Sequence, residues 1–497
     1  MAARETPAET IERLLRAGDN VGALRACDEL LAKAPNSFVA RLGRARAFTE
    51  LGRGIEAERE LDAALRLSPR DEHANLLRAS VDAERGRADD ATARLRPIAS
   101  GRGPHAVGAS VVLFDILYNS NKREEMRDLV QAGVKSGAAW TKDQRAPLHI
   151  ARALVVDDPA AGAAALGAIA RDLRLHPLLR RITGFEAAGL LDKAGQYREA
   201  FETAKFTHAT TSRDFDIDAF LRPMQEQLAR FGSGENWIKP AVDKVEGVAL
   251  IVAMPRSGTT LLEQMLDRHP AISGIGEFEG VKEFCLDLES TGAWPRRPAS
   301  VPQQAYAAAQ KLYLEGAHRI RRDGASWTFD KSLRVWRSLP EIAAVLPGAV
   351  CIDVHRDPRD MATSCFLSYF HTSTLAWAHS LASMRRVIEM QRSLVPRGME
   401  VLGIPHETVV YEDLVEDPAG HAERCLKLMG LAMDERVLAP EGNTRASFTL
   451  SALQVRKPIN RSSIGRWKNY EFAFDASWDK LVDAHEAMRA RTARPAV

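Results

Sequence analysis

The pattern of hydrophobic and polar positions changes part of the way along the chain. About the first 230 residues are rich in Ala, Leu, Arg and Glu and lack β-branched apolar runs, which predicts helices. Beyond a stretch rich in Gly, Ser, Asn and Pro at 232–246, short apolar runs alternate with amphipathic segments. Such alternation predicts a parallel sheet covered by helices on both faces. The predicted strands are 248–254, 326–329, 349–354 and 406–411, and the predicted helices are 260–268, 303–322, 358–370, 375–395 and 417–429.

An internal repeat with a period of 34 residues marks the helical half of the chain. Glycine would occupy the turn between paired helices, alanine the point where helices touch, and proline the end of each repeat. This period resembles that of tetratricopeptide repeats, which bury a common core by stacking. The alternative is an irregular helical domain with coincidental spacing. The positions that keep the period are Gly18, Gly52 and Gly86; Ala23, Ala57 and Ala91; Leu31 and Leu65; and Pro35 and Pro69; Gly195 with Ala200 indicates a fourth, out-of-phase copy.

Length, charge and cysteine content limit the classes of protein that this chain fits. A length of 497 residues predicts two or more domains, and we place a repeat array at 1–235, a linker at 236–246 and an α/β domain at 247–497. The net charge of +2 argues against a nucleic-acid partner. We expect neither a membrane span nor a signal peptide, because the apolar runs are too short. Five scattered cysteines predict reduced thiols in a cytoplasmic protein, not a disulfide scaffold or a zinc site.

The loop after the first predicted strand is a candidate anion site. The apolar run ends in "MPRSGTTLL", in which Gly258 allows a tight turn and Arg256 supplies a planar cation. The backbone N–H groups that start the next helix, with the hydroxyls of Thr259 and Thr260, favour an anion there. The alternative is that Thr260 and Glu263 form only a capping box.

A second anion signal, "VHRDPRDMATSC", follows the third predicted strand. Asp357 before Pro358 is typical of a helix start, and Arg356 and Ser364 are placed to meet at one anion. The alternatives are a surface charge cluster and a kinase in which Asp353 binds magnesium. Against a kinase, the chain has no G-K-[ST], so the lysine and metal positions of a P-loop kinase are not filled.

The two motifs together, "PRSGTTLLEQML" and "RDPRDMATSC", resemble the phosphate-binding motifs of sulfotransferases that use PAPS (3′-phosphoadenosine-5′-phosphosulfate). "HPAISGIGEFEG", "FDKSL", "VVYEDLV" and "LQVRKPINRSSIGRW" resemble further blocks of the tyrosylprotein sulfotransferase branch. With its repeats, the chain resembles bacterial tetratricopeptide-repeat sulfotransferases. The resemblance implies a P-loop-like α/β domain with a central parallel sheet, which uses PAPS and releases PAP. It implies that the phosphosulfate is held by Arg256, Ser257, Gly258, Thr259 and Thr260, and the 3′-phosphate by Arg356 and Ser364.

Sulfuryl transfer needs a base for the acceptor hydroxyl and cations for the charge that develops on the donor. Glu277 in "GIGEFEG" is our candidate base, in the block where the family has its catalytic glutamate. Glu279 is the reserve, because this chain has Gly-Glu-Phe-Glu where the eukaryotic enzymes have paired glutamates. Lys331, after the second predicted strand, resembles the family's catalytic lysine, and Arg256 completes the catalytic set. The alternative for Lys331 is a surface lysine paired with Asp330.

The remaining assignments rest on the resemblance alone. Tyr411 and Lys457 match family positions near the cofactor, and Trp467 is expected to pack in a segment that folds over it. No metal is expected, because arginine, lysine and backbone N–H groups suffice for the smaller charge of a sulfuryl group. The acceptor is a tyrosyl hydroxyl by resemblance, with small-molecule or glycan hydroxyls as alternatives, and the repeats would recruit an acceptor protein or peptide. A nucleotide kinase and a non-catalytic repeat scaffold are the other hypotheses.

Overall fold

The structure is a computed structural model that describes residues 5–51, 53–212, 214–234, 237–240, 242–332, 335–370, 375–443 and 458–492. These residues form two compact units, one ending at Ala153 and the other beginning at Leu154. Across the described ranges, no helix is both long enough and apolar enough to cross a bilayer.

The first unit consists of helix pairs that follow the 34-residue period. Gly18 and Gly86 have φ of 75° and 82° in the turns between paired helices. Glycine adopts this left-handed conformation readily, whereas a residue with a Cβ atom would be strained there. Ala23, Ala57 and Ala91 are fully buried where helices touch. The predicted repeat is therefore confirmed, although Gly52 lies outside the described residues. The helices are α1 (Pro7–Arg16), α2 (Asn20–Lys33), α3 (Phe38–Glu50), α4 (Gly54–Leu67), α5 (Glu72–Glu84), α6 (Ala88–Ala99), α7 (Ala106–Asn119), α8 (Arg123–Ser136) and, crossing the boundary, α9 (Ala146–Asp157).

The second unit opens with more helices before its sheet begins. Gly195 has φ of 76° in one of the turns, and Ala200 is fully buried, as the out-of-phase repeat copy predicts. These helices are α10 (Pro159–Arg171), α11 (Pro177–Lys193), α12 (Tyr197–Thr211) and α13 (Ile217–Gly232).

A parallel sheet of strand order β2-β3-β1-β4-β5 forms the centre of the second unit. In the central strand, Leu250 is in register with Asp330 on one side and Cys351 on the other. Every residue of this strand is buried, as expected when helices cover both faces. The strands are β1 (Val248–Ala253), β2 (Ile272–Gly276), β3 (Trp327–Asp330), β4 (Val350–His355) and β5 (His406–Val410).

Helices between and after the strands complete the unit. Leu262 and Met265 pack against Ile251 and Ile352 of the sheet in one continuous apolar core. The helices are α14 (Thr259–Leu266), α15 (Gly280–Ser290), α16 (Gln303–Ile320), α17 (Leu339–Val345), α18 (Pro358–Phe366), α19 (Leu381–Leu402), α20 (Tyr411–Glu416), α21 (Pro418–Leu428) and α22 (Asp479–Thr492).

Several features differ from the predicted elements, and helices α15, α17, α20 and α22 are not among the predicted helices. Strand β2 is missing from the prediction, because "ISGIG" contains two glycines and a serine and few residues of high β propensity. The helix predicted at 375–395 begins at Leu381, where Ser380 caps it, and continues past Pro396 to Leu402.

Candidate active site

The candidate site residues lie just beyond the carboxyl ends of the parallel strands. The loop 254–258 follows β1, Glu277 follows β2, Lys331 follows β3, Arg356 follows β4 and Tyr411 follows β5. Since the strands are parallel, these positions share one edge of the sheet, which is where α/β sheets bind ligands. The connection after β1 runs to one side of the sheet and the connection after β4 runs to the other side. The loop after β1 therefore lies at a switch point in the strand order, where such sheets bind ligands.

The loop after β1 is shaped by two left-handed residues. Gly258 has φ of 92° and is the N-cap of α14, and Arg256 has φ of 67°. A Cβ atom on residue 258 would lie 2.1 Å from Cδ2 of Tyr411, so the tyrosine ring packs directly on the loop. Ser257 is 1% exposed, and its hydroxyl donates to Sδ of Met361 at 3.2 Å. The buried Thr259 and Thr260 form the first turn of α14.

The two predicted anion motifs meet through their arginines. Arg256 Nε donates to Oγ of Ser364 at 2.7 Å, and Arg356 Nη1 donates to the carbonyl oxygen of Arg256 at 2.9 Å. The guanidinium of Arg356 lies 4.8 Å from the ring centroid of Tyr411. Burial, followed by the charges of Arg356 and Arg466, lowers the pKa of Arg256 to about 10, so Arg256 stays protonated at neutral pH.

This arginine cluster fits an anionic group. Arg356 is 7% exposed, and its Nε atom is buried without an acceptor among the described residues. A buried donor without an acceptor costs free energy that a bound anion would recover. With the start of α14 beside it, the cluster provides donors for phosphate-like oxygens.

Glu277 and Lys331 are in direct contact. Lys331 Nζ donates to Oε1 of Glu277 at 2.9 Å. The lysine side chain is 2% exposed and the glutamate side chain 45% exposed, so the pair joins a buried cation to a carboxylate that solvent reaches. Glu279 instead binds Lys282 in the next helix, α15. The geometry thus brings Glu277, and not Glu279, to the predicted catalytic lysine.

Asp330 does not pair with Lys331. Its carboxylate accepts hydrogen bonds from the Tyr313 hydroxyl at 2.9 Å and from Ser332 Oγ at 2.6 Å. Ser332 Oγ also lies within hydrogen-bond distance of the Phe278 carbonyl oxygen. Burial raises the pKa of Asp330 to about 7. This cluster ties the end of β3 to the segment that carries Glu277.

A second positioning contact was not predicted from the sequence. Glu263 on α14 is 1% exposed, and its Oε1 accepts the N–H of Gly276 at 2.9 Å. The carbonyl oxygen of Gly276 accepts the N–H of Lys331 at 3.0 Å. Gly276 has φ of 71° at an irregularity in the β2–β3 pairing. The sequence indicates only a capping box for Glu263, because the contact between Glu263 and Gly276 depends on how α14 packs against β2.

The segment near the C-terminus lies over the second motif. The carbonyl oxygen of Ser463 accepts a hydrogen bond from Arg356. Asp360 accepts the N–H groups of Gly465 at 2.7 Å and Trp467 at 2.8 Å. Asp360 was not among the predicted site residues, although its place in "RDPRD" is the signal that marks it. Lys457 lies outside the described residues.

The helix start after β4 agrees with the predicted cap. Asp357 accepts the N–H groups of Arg359 at 2.8 Å and Asp360 at 3.3 Å, with Pro358 in the first turn. Asp353, the carboxylate of the kinase alternative, is 3% exposed within β4, and its Oδ2 lies 2.7 Å from His355 Nε2.

Comparisons with known proteins agree with this architecture. Residues 249–435 match the model of the Sulfotransferase family, and residues 14–81 match a tetratricopeptide repeat. An uncharacterized protein of Aquifex aeolicus is 24% identical over 309 residues, which are 59% of this chain and 40% of that protein. Protein-tyrosine sulfotransferase 2 of Gallus gallus is 23% identical over 265 residues, which are 50% of this chain and 69% of that protein.

Among solved structures, the sulfotransferase domain from the Synechococcus PCC 7002 olefin synthase is similar, with a TM-score of 0.31 and 21% identity. That similarity covers 48% of this chain and 99% of the domain. By the two family models, the chain combines a segment that matches tetratricopeptide repeats with a domain that matches the Sulfotransferase family.

Proposed function

We propose that this protein transfers a sulfuryl group from PAPS to an acceptor hydroxyl, with Glu277 as the general base. The observation that carries the proposal is the contact between Glu277 and Lys331 at the strand edge that also holds the arginine cluster. A base, a buried cation and an anion site at one edge are the three parts that sulfuryl transfer requires.

Donor binding falls to the two motifs after β1 and β4. PAPS supplies an activated sulfuryl group and a 3′-phosphate, two anionic ends that need separate partners. We assign the phosphosulfate to Arg256, Ser257, Gly258, Thr259 and Thr260. The 3′-phosphate is assigned to Arg356 and Ser364, beside Tyr411; Lys457 is assigned to the donor by resemblance alone. No metal is part of this proposal.

In the transfer step, the exposed Glu277 and the buried Lys331 have different roles. Glu277 is reachable from solvent, so an incoming hydroxyl can donate its proton to this carboxylate. As the acceptor oxygen bonds to sulfur, the bond between sulfur and the bridging oxygen breaks. Lys331 and Arg256 stabilise the negative charge left on the departing phosphate. Lys331 also holds Glu277 in place before the acceptor arrives.

We propose a protein tyrosine as the acceptor, recruited by the repeats. Support comes from relatives that are named protein-tyrosine sulfotransferases and from the match to tetratricopeptide repeats, which often bind peptides. A small-molecule or glycan hydroxyl is the competing acceptor. We also propose a cytoplasmic location, because buried thiols such as Cys351 and Cys425 fit a reducing compartment.

Transfer of ³⁵S from labelled PAPS to a tyrosine-containing peptide, and to the proteins of a cell lysate, tests the proposal. Glu277→Gln should lower kcat by roughly a hundredfold or more. The matched control is Glu279→Gln, two residues away and bound to Lys282, which should keep most of the activity. Equal losses in the two variants would remove Glu277 from the role of base.

Ligand binding separates the proposal from the other functions. PAP should raise the unfolding temperature of the wild type, and Arg256→Ala should abolish the effect. Stabilisation by Mg-ATP in place of PAP would support a nucleotide kinase. No stabilisation by either ligand, with no ³⁵S transfer, would support a non-catalytic scaffold.

A further inference from the structure

We infer that the helix pair α11–α12 positions the segment over the donor site, and that Asp192 is the positioning residue that links them. The segment, residues 458–474, is called the cover segment below. The expected change in affinity for PAP rests on the proposed function, because PAP binds only if the donor site is correctly assigned. The contacts that carry it join described residues of the second unit only.

The cover segment is held on its inner side by the second anion motif. Arg356 donates to the carbonyl oxygen of Ser463, and the two carboxylate oxygens of Asp360 accept the N–H groups of Gly465 and Trp467. The Arg359 guanidinium lies 3.5 Å from the ring centroid of Trp467. Any shift of the cover segment therefore changes the surroundings of Arg356.

The outer side of the cover segment is held by α11. Asp192 Oδ2 accepts from Arg466 Nη2 at 2.5 Å, and Asp192 Oδ1 accepts from the Tyr470 hydroxyl at 2.6 Å. The Asp192 side chain is 15% exposed and Tyr470 is 1% exposed, so solvent screens these bonds only weakly. One carboxylate thus fixes two points of the segment, four residues apart.

Helix α12 adds contacts to the same region. Arg198 stacks over the ring of Phe472 at 4.4 Å, and the rings of Phe201 and Phe366 stack at 4.8 Å. His208 Nε2 lies 3.0 Å from the carbonyl oxygen of Phe366, at the end of α18. Helix α12 therefore contacts both the cover segment and the helix that carries Ser364.

Asp192 also holds the guanidinium of Arg466 in position. The charge of Arg466 is among the smaller causes that lower the pKa of Arg256, so the two guanidinium groups lie within electrostatic range of each other. Like charges repel, so Arg466 needs a nearby anion to remain there. Asp192 provides that anion through its contact with Arg466. A helix that resembles a repeat element thereby holds Arg466 and Tyr470 of the cover segment beside the proposed donor site.

Asp192→Asn in the full-length protein tests this role. Isothermal titration should show a PAP dissociation constant raised roughly fivefold or more, and KM for PAPS should rise with it while kcat changes less than about twofold. Hydrogen exchange at the amides of Gly465 and Trp467 should accelerate without any ligand. Asp192→Glu, which keeps the charge, should restore most of the PAP affinity.

The matched control is Asp218→Asn, which removes a more exposed ion pair between α13 and Arg386 of α19. It should leave PAP affinity and the exchange at Gly465 unchanged. Tyr470→Phe loses only the hydroxyl bond to Asp192 and should show a smaller change in the same direction, so it carries the test if Asp192→Asn does not fold.

The outcomes separate the inference from the proposed function. If the wild type binds PAP and Asp192→Asn binds it equally well with unchanged exchange, the inference is overturned. If the wild type does not bind PAP, the proposed donor is wrong. In that case exchange at Gly465 and Trp467 still decides whether Asp192 positions the cover segment.

Discussion

Replacement of Gly258 by alanine should destabilise the fold at the loop of the proposed donor site, for two separable reasons. The backbone has φ of 92°, a region that costs an L-residue about 1–2 kcal/mol. The new Cβ would also lie 2.1 Å from Cδ2 of the Tyr411 ring, so the ring or the loop has to move. Overpacking of this kind costs about 1–3 kcal/mol more.

Gly292→Ala separates the two costs. Gly292 has φ of 69°, but a Cβ atom there meets nothing within 4 Å, so only the backbone cost applies. Urea unfolding should therefore show Gly258→Ala to be less stable than Gly292→Ala by about 1–3 kcal/mol. Adding Tyr411→Ala to Gly258→Ala should recover part of the packing cost. Equal losses for the two glycine variants would refute the close packing of Tyr411 on the loop.

Three further predictions concern the edge of the sheet. Lys331→Met should lower kcat by roughly a hundredfold, measured with ³⁵S-labelled PAPS, because the buried cation beside the reacting group is lost; an unchanged kcat would contradict this. Glu263→Ala should lower kcat about tenfold by freeing Gly276, while PAP affinity measured by titration stays within about threefold; a selective loss of PAP affinity would instead place Glu263 in donor binding. Asp330 has its pKa raised from 3.8 to about 7, so the folded protein binds the extra proton and loses stability as pH rises from 4 through 7. In urea unfolding at pH 5 to 8, the stability of Asp330→Asn relative to wild type should therefore rise by up to about 3 kcal/mol across the range, and a parallel pH dependence in both proteins would contradict the assignment.

The parts of the fold that the sequence predicts are those carried by local patterns. Strand β1 shows as a run of buried apolar residues, and the repeat shows as glycine and alanine at a fixed step. Strand β2 does not show, because its pairing with β3 depends on residues more than fifty positions away. Local composition around Gly274 and Gly276 resembles a turn.

The candidate site divides in the same way. The motifs place Arg256, Arg356 and Lys331 after strands, and parallel pairing then brings them to one edge. The choice between Glu277 and Glu279 needs the observed path after β2. There Gly276 turns the chain so that residue 277 meets Lys331, while residue 279 is the N-cap of the next helix, α15. The spacing of the motifs does not predict this turn at Gly276, so it cannot distinguish Glu277 from Glu279.

Composition and packing divide the chain at different positions. Composition changes at 236–246 because strands and helices begin to alternate there, and this supports the boundary we propose from the sequence. Packing groups α10–α13 with the sheet, since the compact unit that contains them begins at Leu154. Helices that resemble repeat elements are therefore part of the compact unit that contains the sheet. Experiments that separate the proposed recruitment from the proposed catalysis should accordingly alter the helices before Leu154 and leave α11 and α12 intact.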